Sequence, residues 1–133
     1  MLDQDGTFLS KALESVAGAR VEFEGGRYNN SANRSYYAVF QAAIHALQME
    51  GISVRGGGAE WGHALVDAQF SGLLVHRRHR YDTSLRGVIR DNRNLREDAD
   101  YTMGRVSAVR ASRSLECAER LVRAVVQRQR EQA

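Results

Sequence analysis

Apolar positions along this chain recur three or four residues apart, the helical period, without the alternation of a strand. Thr7 stands where an N-cap belongs, ahead of a first helix running to about Glu24 with Leu9, Leu13, Val16 and Val21 as its stripe. Gly25 and Gly26 end it, and a turn leads through Arg27 to Asn30. Asn30 or Ser31 caps a second helix that stops at Gly51. Tyr37, Phe40, Ile44 and Leu47 make one face of it, while Ala38, Ala42, Ala43 and Ala46 cover much of the rest. A helix apolar nearly all round belongs in the middle of a bundle, and its alanines let neighbouring backbones come close.

The stretch 51–59 reads as a flexible linker; its triple glycine matches no phosphate-binding spacing and follows no strand. A third helix is predicted from about Glu60 to Val75, with Trp61, Leu65, Ala68 and Leu73 inward. The basic run His76 to Arg80 precedes a fourth helix, from about Tyr81 to Ala99. After a break at Thr102 to Gly104, Ser107 caps a long final helix. Its stripe is Ala108, Ala111, Leu115, Ala118, Val122 and Val125, with Glu116–Arg120 and Glu119–Arg123 pairs on the wet side. The expectation is an all-α chain, one helical domain over residues 1–133.

Composition supports this. Among 133 residues there is no proline, the strongest helix breaker. The sole cysteine, Cys117, excludes an intrachain disulfide and suits a reducing cytosol. The acidic start MLDQDG is unlike a signal peptide, and the longest uncharged run, Ser35 to Met49, is too short and polar for a bilayer. A cytoplasmic protein with no membrane partner is expected. Charge is uneven: residues 1–66 hold five basic against seven acidic side chains, and residues 67–133 fourteen against nine. That basic second half permits a nucleic-acid or acidic-protein partner without requiring one.

Few side chains suggest chemistry. His76, His79 and Asp82 have a ligand-like spacing, but Arg77, Arg78 and Arg80 oppose a cation, so neither a metal site nor a cofactor is expected. His45 reads as a surface histidine, and His63 as either partly buried against a neighbour or catalytic. Cys117 has no partner that suggests activation. Asn33 shares a face with Tyr37 and Ile44, and so marks a structural network or an interface. On the fourth helix Tyr81, Leu85, Val88, Asn92 and Leu95 form the core side, whereas Arg86, Arg90 and Arg93 form a solvated face or an RNA-phosphate track. Arg96 lies at the boundary, four residues before Asp100, its candidate carboxylate partner.

The string NRSYYAVFQAAIHAL (Asn33 to Leu47), the spacing to His63 and Phe70, and REDADY (Arg96 to Tyr101) resemble a small stand-alone prokaryotic branch of the HEPN domain family. The alanine-rich last helix resembles it too, and the likeness runs from Phe8 to Val126. It implies an up-and-down four-helix core with an additional short helix, commonly a homodimer. It also implies a toxin–antitoxin or defence setting, with RNA, a nucleotide or a partner such as a small nucleotidyltransferase. Nuclease relatives carry Arg, four to six residues, then His, and two copies form one composite site. Here Arg96 is followed after four residues by Tyr101, and no histidine occurs beyond His79. Tyrosine ordinarily titrates near 10, far from the pKa a general acid or base needs at neutral pH. The resulting reading is a binding module with a degenerate catalytic motif, whose Arg96 serves a functional site. The alternative is a metal-independent endoribonuclease using Arg96 with Tyr101 or His63, and a plain oligomerising scaffold is the third.

Overall fold

The computed structural model describes residues 3–53, 62–101 and 105–132, with side chains for 8–53, 62–99 and 105–132. Within these residues there is no strand. Helices α1 (Asp3–Glu24), α2 (Tyr28–Met49), α4 (Val88–Tyr101) and α5 (Ala108–Gln132) form the up-and-down core, and short α3 (His63–Gln69) lies against α2. Helix α3 continues as π-helix over Phe70–Arg77, and a 3-10 turn, Thr83–Leu85, leads into α4. The triple glycine of the expected linker, the expected third-helix start at Glu60 with Trp61, and the expected break at Thr102 to Gly104 lie outside the described residues.

Helix α2 is central because its alanines permit it. Ala38, Ala42, Ala43 and Ala46 are fully buried, and α1, α4 and α5 all pack on this helix. Its wetted strip runs along Asn30, Arg34 and Tyr37. Tyr37, expected on the core face, therefore stays 37% exposed, and the adjacent Tyr36 is the tyrosine that is fully buried. His45 is not a surface residue: α5 covers that side, and Gln129 Oε1 meets its Nε2.

Helix α1 begins at Asp3, ahead of the expected Thr7 cap, and its inward line is Leu9, Ala12, Val16, Ala19 and Phe23. Leu13 and Val21 face outward, because close approach to α2 is made through small Ala12 and Ala19 instead. Helix α1 ends in a Schellman motif: Arg27 N–H donates to Glu22 O and Gly26 N–H to Phe23 O. Gly26 sits at φ +78°, where a side chain is strained, and Gly51 closes α2 the same way at φ +73°. Helix α2 thus starts at Tyr28 with no side-chain cap; Ser31, expected as a cap, donates its hydroxyl to Ala19 O across the α1–α2 contact.

In the third helix the inward residues are Val66, Phe70, Leu74 and Val75, whereas Leu65 and Ala68 are exposed and Leu73 is half-buried. The π-turn explains part of the difference, since its wider ring shifts the helical phase and brings neighbours Leu74 and Val75 inward together. Tyr81, Leu85, Val88, Asn92 and Leu95 are buried as expected, though the α-helix starts at Val88 rather than Tyr81. Ser107 caps α5, accepting from Arg110 N–H at 3.1 Å. The α5 stripe is buried except for Ala108, and Leu121 joins it. Glu119, expected to pair with Arg123, instead takes two bonds from Arg20 of α1, at 3.1 and 2.7 Å.

Candidate functional site

The face of α4 that its core residues leave outward fronts α3. Between the two helices lies a cleft of about 310 Å³, lined by His63, Asp67, Ile89, Arg90, Arg93, Asn94 and Glu97. A second cleft of about 260 Å³ adjoins it through shared Asp67 and Arg90, and carries Ser71, His76 and Arg86. Together they form one groove with arginines on the α4 side and His63, Asp67, Ser71 and His76 on the other. The predicted row Arg86, Arg90 and Arg93 thus converges on one feature. Its charge is lightly committed: Arg90 lies 3.9 Å from Asp91 and Arg93 3.8 Å from Glu97, both in exposed pairs.

His63 opens α3 at the end of this groove. Its Nδ1 meets the hydroxyl of Tyr36, and its ring stacks on Phe40 with centroids 4.5 Å apart. Burial holds the His63 pKa below the ordinary imidazole value, and the positive charges of Arg93 and Arg96 lower it further. Burial likewise pushes Tyr36 up to about 12, so its phenol stays protonated and available as a donor. A Tyr36 hydroxyl that donates to Nδ1 leaves the imidazole proton on Nε2, and His63 then presents a donor to the groove.

Arg96 does not line the groove. Its guanidinium lies 5.5 Å from the Tyr36 ring and 5.4 Å from the Tyr37 ring, and its Nη2 donates to the Tyr37 hydroxyl at 3.4 Å. It packs on Tyr36, the residue whose hydroxyl meets His63. The side chains of Asp100 and Tyr101, the other members of REDADY, lie outside the described residues, as therefore does the expected Arg96–Asp100 pair. Asn33 is half-buried and borders a different cleft of about 500 Å³, between α1 and α2, with Ser15, Arg34, Tyr37 and Gln41. Asn33 and Tyr37 therefore share a cleft that Arg86, Arg90 and Arg93 do not line.

Among the described residues no group of histidine, cysteine or carboxylate side chains is placed to hold a metal ion. His76 and His79 are both exposed, and Arg78 and Arg80 close on Glu50 at 3.0 and 3.3 Å. Cys117 is half-buried, and that burial pushes its thiol pKa up, away from a reactive thiolate. Spacing puts Phe40 on the apolar face of α2, and the Asn33 to Leu47 string contains Tyr36, but neither is tied there to a site; Asp67 and Ser71 carry no motif or spacing.

No helix among the described residues is long and apolar enough to cross a membrane. No curated protein matches the sequence. The model of the HEPN domain matches residues 7–129, nearly the whole all-helical chain. With that match and this fold, the chain belongs to the HEPN domain family.

Proposed function

We propose that this HEPN domain binds RNA or a nucleotide in the groove between α3 and α4, with Arg86, Arg90 and Arg93 taking the phosphates. The carrying observation is the convergence of these three arginines on one groove with His63 at its end. A planar guanidinium matches phosphate through two parallel hydrogen bonds, and exposed arginines give up little to make them. His63, donating from Nε2, adds a neutral contact. Arg96 acts behind the site: it packs on Tyr36, which orients His63.

The working unit in this reading is a homodimer, in a toxin–antitoxin or defence setting and with an operon partner such as a nucleotidyltransferase. Tyr37, exposed on α2, supplies an aromatic surface for a second copy, and Asn33 supplies a polar contact in the same cleft. Light scattering at micromolar concentration is expected to give twice the chain mass; monomer alone would count against it.

A second reading, metal-independent endoribonuclease, is favoured by one observation: His63 stands within the field of both Arg93 and Arg96. Tyr101 in place of histidine argues for binding without cleavage. The deciding experiment is mixed RNA incubated with the purified chain in EDTA, beside an anisotropy titration. Binding without cleavage, weakened by Arg93→Ala, is the expected result. Cleavage that persists in EDTA and vanishes in both Arg96→Ala and His63→Ala would replace the binding reading with the nuclease one.

A further inference from the structure

The groove wall facing the arginines carries a carboxylate. Asp67 lines both clefts, and its Oδ1 accepts from Ser71 Oγ at 3.0 Å, a neutral hydroxyl of its own helix rather than an arginine across the groove. For phosphate alone this residue is a handicap, since like charge repels an anion bound within a few ångströms. It suits a ligand that has hydrogen-bond donors beside its phosphate.

A carboxylate only accepts, so its complement is an edge made of donors. Among the nucleobases, guanine places two donors side by side on its Watson–Crick edge, N1–H and N2–H₂, and two carboxylate oxygens accept both. Cytosine and adenine offer one exocyclic amino group there, and uracil a single N–H. The Ser71 bond holds the Asp67 carboxylate in place. Each carboxylate oxygen has two lone pairs, so Oδ1 accepts from Ser71 and still has one for a base. The second carboxylate of the cleft, Glu97, leans instead toward Arg93 at 3.8 Å. At about 310 Å³ the cleft is at the small end of ligand pockets, which start at about 300 Å³.

We propose that Asp67 reads guanine: the groove takes a guanine nucleotide, free or within single-stranded RNA, with its phosphate on Arg90 and Arg93 and its Watson–Crick edge on the Asp67 carboxylate. The assignment rests on the phosphate reading above. Specificity at this position then comes from the base donors, because an analogue lacking one leaves a carboxylate oxygen without its partner.

Calorimetric titration of the full chain with 5′-GMP, 5′-IMP, 5′-AMP and inorganic phosphate tests it, IMP differing from GMP only in lacking the 2-amino group. GMP is expected to bind at least about fivefold more tightly than IMP or AMP. In Asp67→Asn the three nucleotides are expected to bind alike, while phosphate binds as well as to wild type or better. Equal binding of the three nucleotides by the wild type, or a GMP preference that survives Asp67→Asn, would overturn the guanine assignment and leave the phosphate reading standing. If neither GMP, phosphate nor RNA binds, both fall together.

Discussion

Tyr36, fully buried on α2, places its hydroxyl against Nδ1 of His63, the first residue of α3. The contact spans 27 residues of sequence and ties the mouth of the groove to the most buried helix of the bundle. Three groups are linked through it, since Arg96 also packs on the Tyr36 ring. Tyr36→Phe keeps the ring and deletes only the hydroxyl. It is expected to lower stability by about 1 kcal/mol, the net worth of a typical hydrogen bond, and to release the His63 tautomer. Thermal unfolding and the ¹⁵N shifts of the His63 ring check this. An unchanged Tm with unchanged ring shifts would show that the contact does not hold the imidazole.

The lowered His63 pKa has a pH signature. Its native form resists protonation relative to the unfolded chain, whose imidazole titrates near 6.5. The unfolded state therefore binds more protons below that point. Full stability is present above about pH 6.5 and declines as pH falls through and below it. His63→Asn is expected to flatten that part of the curve. Wild-type and variant curves that stay parallel from pH 7.5 to 5 would contradict it.

Arg96→Ala separates support from contact. Loss of stacking on two tyrosine rings is expected to cost on the order of 1–2 kcal/mol. RNA affinity is expected to drop less than in Arg93→Ala, whose side chain lines the groove directly. Paired melting and anisotropy measurements decide it: an Arg96→Ala protein that melts like wild type and binds far worse than Arg93→Ala would make Arg96 a direct contact.

The tight centre of the bundle makes its own prediction. Ala43 is fully buried on α2. Ala43→Leu forces neighbouring backbones apart and is expected to destabilise by about 1–3 kcal/mol. Urea denaturation reads this. A variant as stable as wild type would mean that space remains beside α2.

Much of this architecture could be read from the residues alone, and the exceptions have physical reasons. The α4 core face, the Ser107 cap, the α5 stripe and the central place of α2 all follow from periodicity over long, regular helices. Leu13 and Val21 face outward despite their bulk, because α1 approaches α2 through Ala12 and Ala19. Leu65 and Ala68 are outward because Val66 and Phe70, four residues apart, set the inward line of α3, and the π-turn then brings Leu74 and Val75 in together. At the site, the arginine row was visible as a repeat on one helix. Asp67 and Ser71 were not, because their importance comes from facing that row across a groove, and only tertiary packing creates that relationship.

The salt dependence of RNA binding tests the central claim most directly. For a single strand, each phosphate contact contributes about 0.7 to the slope of log K against log salt. An anisotropy titration of single-stranded RNA at several salt concentrations is expected to show the Arg86→Ala/Arg90→Ala/Arg93→Ala protein binding weakly, with a slope shallower than wild type by about 2. Arg123→Ala, an exposed position on α5 away from the groove, is expected to match wild type. A triple variant with the wild-type slope and affinity would contradict the groove as the phosphate site.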